Sequence, residues 1–212
     1  MAARHMSGAA LVLAGFALVG TGLVAATYGL TRERIAQVER ENLLRTLGAL
    51  VPPEWYDNDL AGDTLQVRDR ALLGTDEPVT VYRARRGGAP VAVVLTPVAP
   101  DGYGGPIRLM VAIRVDGTLA GVRVLAHKET PGLGDRIEVE KSDWIHAFRG
   151  RSLRDPDPAH WKVRKDGGVF DQFTGATITP RAVVKAVRKA LEYYEAHRNE
   201  LFAAQPEESR DG

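Results

Sequence analysis

From Met6 to Thr31 the chain carries no charged residue. The apolar centre of this stretch, Ala9 to Leu30, is long enough to cross about 30 Å of hydrocarbon at about 1.5 Å per helical residue. Gly15, Gly20 and Gly22 give it small faces suited to close helix packing, and Tyr28 falls where an interfacial aromatic belongs. A retained membrane anchor is the expected reading. A cleaved signal peptide competes with it, because Ala25-Ala26-Thr27 is loosely cleavage-like; the apolar run, however, exceeds a usual signal core. After Thr31 the pattern turns amphipathic. Ile35, Val38, Leu43, Leu44 and Leu47 recur between Glu and Arg residues, which predicts a helical stalk that ends at Val51-Pro52-Pro53. The expected division is 1–31 tail and transmembrane helix, 32–52 stalk helix, 53–204 folded domain and 205–212 polar tail.

Asp57 to Asp76 is polar and reads as irregular. Beyond it the period shortens to two. Val79–Tyr82 and Val91–Leu95 are short strand candidates. Ile107, Leu109, Val111, Ile113 and Val115 alternate strictly with other residues, the pattern of a half-buried strand. Asp116-Gly117 marks a hairpin turn and Thr118–Leu125 the return strand. Asp101–Pro106 is a flexible loop carrying Tyr103. Lys141–Arg149 reads as a short helix, and Trp161–Val163 as an edge strand before the Lys165–Gly168 turn. Val183, Val184, Val187, Ala190, Leu191 and Tyr194 then recur at three and four residues, which predicts a final helix. Thr179 serves as its expected N-cap and Pro180 as its first helical residue. The chain shows no internal repeat. The expected fold class is α+β: a single N-terminal transmembrane helix plus an antiparallel-sheet domain with flanking helices.

Composition removes several function classes. The 28 basic residues balance 27 acidic ones for a net charge of +1, and no basic aromatic platform is present, so nucleic-acid binding is not expected. There is no cysteine, which excludes a disulfide and a Cys-ligated iron–sulfur cluster in this chain. His5, His127, His146, His160 and His197 show no ligand spacing, so no metal is expected. Ser142, Asp143 and His146 on one short helix do not make a hydrolase triad. If the chain carries electrons, its cofactor must be held by other chemistry.

Two segments offer that chemistry. Asp171-Gln172-Phe173-Thr174-Gly175-Ala176-Thr177 reads D-x-x-[ST]-G-A-T just before the last helix. A phosphoryl group on Thr177 would face the free N–H groups and positive end of that helix, an interaction worth about 0.3–1 kcal/mol. Gly175 and Ala176 allow backbone to approach a phosphate closely. The second segment, His127-Lys128-Glu129-Thr130-Pro131-Gly132-Leu133-Gly134-Asp135, follows the return strand. Its Pro and Gly residues impose a turn with open backbone. Glu129 and Thr130 offer polar groups to the edge of a planar ring, Leu133 an apolar contact to its face, and Tyr103 a stacking surface. The plainer alternatives are an ordinary loop-to-helix junction and a plain Gly/Pro loop.

Together, these motifs and the apolar N-terminal segment resemble the G subunit of the Rnf-type (Rsx-type) ion-translocating electron transport complex, whose nearest relative is the C subunit of the sodium-translocating NADH:quinone reductase. The resemblance covers nearly the whole chain. It implies an FMN-binding domain with FMN joined to Thr177 through its phosphate by a flavin transferase that uses FAD and reads Asp171, Thr174, Gly175 and Ala176. It implies flavin contacts at Tyr103, Gly104, Glu129, Thr130, Leu133, Gly134 and Thr179. The implied role is an electron relay beside other membrane and soluble subunits, in a complex that couples ferredoxin and NAD to ion movement. The chain has no Rossmann fingerprint and is not expected to oxidise NADH alone. The resemblance also implies a bacterial inner membrane location with the domain in the periplasm. The local charges point the other way: Arg4 precedes the span, whereas Arg32, Arg34, Arg40 and Arg45 follow it. Two alternatives stay open. One is another flavoprotein, a quinone-reductase C-type subunit or a membrane regulator, although the short chain and single span favour the Rnf-type family over the regulators. The other is a non-redox anchor or assembly subunit.

Overall fold

The computed structural model describes residues 2–203. The chain divides into two compact units between Arg45 and Thr46. The first is built from α1 (Ala2–Leu50), a continuous helix whose last turn belongs to the second unit. An 18-residue window of α1 reaches a mean hydropathy of 1.6 with none of it buried, so this helix is long and apolar enough to cross a membrane. The hydroxyls of Thr27 and Thr31 donate to the carbonyls of Leu23 and Thr27, both at 2.8 Å. These bonds keep two polar side chains satisfied inside an apolar helix.

The second unit is a six-stranded antiparallel sheet with a helix across one face. Its strands are β1 (Thr64–Val67), β2 (Val79–Arg86), β3 (Ala89–Leu95), β4 (Val98–Ala99), β5 (Ile107–Arg114) and β6 (Leu119–Ala126). β3 and β4 lie along one edge of β5 in a single register, with Leu95 opposite Val111 and Val98 opposite Arg108. Thr96-Pro97 interrupts them, as expected where proline removes a ladder donor. β6 occupies the other edge of β5. Its hairpin turns at Gly117, which has φ +86°.

The sheet and α3 (Ile178–Phe202) share the main core. Val79, Val81, Val93, Leu95, Leu109, Val111 and Ile113 meet Val183, Val187, Ala190, Leu191 and Tyr194 there, all buried. Each fully buried side chain of this size contributes about 1.5–3 kcal/mol, so α3 is held by its apolar face rather than by intrinsic propensity. β5 is not half-buried as its alternation predicts. Met110 and Ala112, on its second face, are buried too. The end of α1 covers that face: Leu47, Leu50 and Val51 are buried, and Leu50 packs within 2.9 Å of where a side chain on Gly121 would begin, with Gly121 opposite Ala112.

Two local expectations are corrected and a third is made specific. Residues 57–76 are not wholly irregular: they contain β1 and a one-turn helix, α2 (Arg70–Leu73), capped by Asp69, whose carboxylate accepts from the Leu72 amide at 2.9 Å. The short helix expected over Lys141–Arg149 is present as a 3-10 helix over Asp143–Phe148. Trp161–Val163 is not a strand. It makes a single bridge between Val163 and Phe170, and Trp161 is buried against Phe170 and Phe148 with its indole N–H donated to Ser152. Aromatic packing of Trp161 takes the place of strand pairing there.

Candidate functional site

Three loops at one end of the sheet enclose a cavity of about 300 Å³. The loop between β4 and β5 supplies Tyr103. The turn after β6 supplies Glu129, Thr130, Leu133 and Gly134. The segment before α3 supplies Gly175, Ala176 and Thr177, and the helix start adds Ile178 and Thr179. Local chemistry shapes the two longer loops. The Thr130 carbonyl accepts from the amides of Leu133 at 3.1 Å and Gly134 at 3.0 Å. In the motif segment the Ala176 amide donates to Phe173 at 3.1 Å, and Gly175 takes φ +81°, a conformation that favours glycine.

Glu129 joins the three loops. It is 5% exposed. Its Oε1 accepts from the Gly104 amide at 2.9 Å, and its Oε2 accepts from the Thr179 hydroxyl. Its own amide donates to His127 Nδ1 at 3.0 Å, while His127 Nε2 lies 2.6 Å from Glu138 Oε1. The glycines follow from this packing. A Cβ on Gly104 would stand 1.8 Å from the Lys128 carbonyl oxygen, and one on Gly134 would stand 2.8 Å from Thr179 Oγ1.

The helix start differs from the sequence reading. α3 begins at Ile178, so Thr177 occupies the cap position itself, with φ −74° and ψ −24° and no capping bond from its side chain. Thr179 is not the N-cap. It is inside the first turn, buried, and spends its hydroxyl on Glu129. The hydroxyl donates to a tertiary carboxylate instead of accepting from a local backbone N–H.

Nine of the residues singled out from sequence line the cavity: Tyr103, Glu129, Thr130, Leu133, Gly134, Gly175, Ala176, Thr177 and Thr179. Gly104 supports it from behind through Glu129. Asp171 and Thr174 are exposed and do not line it. The Asp171 carboxylate lies 3.1 Å from Arg164 Nε, and its carbonyl accepts from the Trp144 indole at 2.8 Å. Phe173 anchors the motif in the core, edge-on to Trp144 at 5.2 Å, with the Arg136 guanidinium 5.0 Å from its ring.

Sequence reasoning missed Ile178. Its one signal is that it falls off the apolar face of α3 yet is large and apolar. Among the described residues outside α1, the exposed large hydrophobic ones are Tyr103 at 69%, Leu125 at 44%, Leu133 at 42% and Ile178 at 46%. Three of these four ring the same cavity, which marks it as a place where apolar surface awaits a ligand. Arg181, one turn beyond Thr177, makes two 2.5 Å bonds to Asp166, and this guanidinium holds the Asp166 carboxyl below the usual carboxylate range. The lining combines apolar side chains, Tyr103, Leu133, Ala176 and Ile178, with the hydroxyl-bearing Thr130 and Thr177, a mixture suited to a largely apolar ligand with polar edges. Among the described residues, no three His, Asp or Glu side chains group to hold a metal ion.

Comparison with known proteins agrees with this geometry. A family model described as the FMN-binding domain matches residues 102–192, which include every cavity-lining residue, and one described as the RnfG N-terminal region matches residues 1–50. The chain is 54% identical over 206 residues to the G subunit of the ion-translocating oxidoreductase complex of Pseudomonas aeruginosa, covering 97% of this chain and 95% of that one. The protein of the same name from Vibrio cholerae is 53% identical over 191 residues, 90% of this chain and 91% of its own. That of Shewanella baltica is 49% identical over 192 residues, 91% of each. With this identity along nearly its whole length and an FMN-binding domain around the cavity, the chain belongs to the family of the G subunit of the ion-translocating oxidoreductase complex.

Proposed function

We propose that this flavoprotein subunit holds FMN covalently, through a phosphoester on Thr177, and relays electrons between ferredoxin and NAD carriers bound by other subunits. The observation that carries the reading is the position of Thr177. It ends the D-x-x-T-G-A-T motif, its hydroxyl makes no capping bond, and it lines the apolar-rimmed cavity. Thr174, the other hydroxyl of the motif, stands outside that cavity.

Attachment requires a flavin transferase with FAD. The Thr177 oxygen bonds to the FMN phosphorus, the diphosphate bond of FAD breaks, AMP departs, and the hydroxyl proton is taken up by the AMP phosphate. The exposed Asp171 and Thr174 side chains give the transferase a handle that the flavin itself does not occupy. Once bound, FMN supplies one- and two-electron chemistry. The chain's own residues supply the setting. The first-turn amides and dipole of α3 favour the phosphate charge. Leu133, Ile178 and Tyr103 cover apolar ring surface and exclude water. Glu129, through Gly104 and Thr179, holds the walls together.

The membrane role rests on α1, and we place the domain in the periplasm of a bacterial inner membrane. The family resemblance supports this side, and long domains translocate despite nearby arginines. Mass spectrometry of the intact protein, produced with a flavin transferase, tests the covalent link. The wild type and Thr174→Ala are expected to be heavier by several hundred daltons and to fluoresce in denaturing gels. Thr177→Ala is expected to show neither. An unmodified wild type, or flavin mapped to Thr174, overturns the assignment.

A further inference from the structure

His127 heads the second motif, yet it does not line the cavity. Its imidazole is 11% exposed and lines a second cleft, about 310 Å³, together with Glu138 and Glu140. Both ring nitrogens are engaged. Nδ1 lies 3.0 Å from the Glu129 amide, which can only donate, so Nδ1 is the acceptor. The ring proton is therefore on Nε2, and it faces Glu138 Oε1 at 2.6 Å, which accepts it. The two partners agree on one tautomer of the neutral ring.

The segment these bonds hold has no slack. The Lys128 carbonyl presses on Gly104 so closely that no side chain fits between them. The next residue is Glu129, whose two carboxylate oxygens are both taken by protein donors, the Gly104 amide and the Thr179 hydroxyl. Glu129 is thus a brace, and the turn carrying Thr130, Leu133 and Gly134 starts from it.

We infer that His127 is a positioning residue of the flavin cavity: its Nδ1 fixes the Glu129 amide, and through it the carboxylate that ties the Gly104 loop to Thr179. This inference rests on FMN occupying that cavity. His127 touches neither the flavin nor Thr177. It acts by holding a backbone amide, in the way that outer partners orient inner ligands in other sites.

The test separates the two ring nitrogens. An asparagine amide oxygen overlays Nδ1 of histidine, whereas a glutamine side chain reaches the Nε2 position. His127→Asn, His127→Gln and His127→Ala are made in the full-length protein, flavinylated by a co-expressed transferase. Intact mass is read first: absence of flavin from the wild type defeats the FMN reading, not this one. With flavin present, His127→Asn is expected to keep the wild-type visible circular dichroism of the flavin. His127→Gln and His127→Ala are expected to change it, and to exchange the Glu129 amide hydrogen about tenfold faster, the factor for loss of one hydrogen bond. An unchanged flavin signal and unchanged Glu129 exchange in His127→Gln and His127→Ala overturn the inference. So does a His127→Asn protein as perturbed as His127→Ala. Should the variants fail to fold, the wild type still decides. Nitrogen-15 labelling is expected to show a scalar coupling across the hydrogen bond from the Glu129 amide to His127 Nδ1, and its absence overturns the proposal.

Discussion

The hydroxyl of Thr179 donates to the carboxylate of Glu129, fifty residues earlier in the chain. That single bond joins the first turn of α3 to the turn after β6, and so fixes two of the three walls of the cavity. Both side chains are buried, Thr179 at 1% and Glu129 at 5% exposure.

Thr179→Val keeps the shape of the side chain and removes the donor. It leaves Glu129 Oε2 buried without a partner, which costs about 1–3 kcal/mol. Thr179→Ser keeps the donor and is expected to be milder. Urea unfolding of both variants measures the difference. Equal stability of the valine and serine proteins shows that the bond carries no weight.

The apolar rim is expected to tune the flavin without attaching it. Leu133→Ala and Tyr103→Ala should retain the covalent mass, because neither residue belongs to the attachment motif. Each lost contact is worth on the order of 1 kcal/mol, which for a one-electron couple corresponds to tens of millivolts. Spectroelectrochemical titration reads the shift together with the visible spectrum. If both variants keep the wild-type spectrum and potential, the rim is structural.

At the opposite end of α3, Asp63 holds two arginines that close the helix. Arg83 Nε lies 2.6 Å and Arg85 Nε 3.0 Å from its carboxylate oxygens. The same arginines donate to the carbonyls of Ala203 and Phe202, both at 3.0 Å. The Arg83 side chain is only 5% exposed, so loss of its counter-charge is costly. Asp63→Asn is expected to lower stability by about 2 kcal/mol, a figure below that for a fully buried pair because Asp63 is partly exposed. Hydrogen exchange should also rise in the last turn of α3. Covalent flavin is expected at the wild-type level, since Thr177 lies at the other end of the helix. Unchanged exchange at Leu201 and Phe202 would show that the helix end is held by other contacts.

The side of the membrane is decided by a fusion. Alkaline phosphatase joined after Gly212 is expected to be active, because that reporter matures only in the oxidising periplasm. Green fluorescent protein exported at the same position through the general secretory route is expected to stay dark. The reverse pair of results places the domain in the cytoplasm, as the local arginine count suggests.

Short-range patterns carried much of this protein. The uncharged run before Thr31, the alternation from Ile107 to Val115, the Asp116-Gly117 turn and the three- and four-residue spacing of α3 each depend only on near neighbours. The sequence alone therefore determined the apolar helix, the central hairpin and the final helix. It also located most of the cavity, because Glu129–Gly134 and Gly175–Thr179 are contiguous segments whose turns are set by their own glycines and prolines. What remained was decided by residues distant in sequence. Periodicity reports one face of a strand, so the burial of Met110 and Ala112 became evident only with Leu50 across the sheet. Thr179 reads locally as a cap, but the fold brings Glu129 to its hydroxyl and the helix starts one residue before it. Ile178 joins the rim, and Arg83 reaches Ala203, for the same reason. A hydrogen bond or an apolar contact is chosen by which groups the packed sheet and helix bring within reach, and that distance is not written in the spacing along the chain.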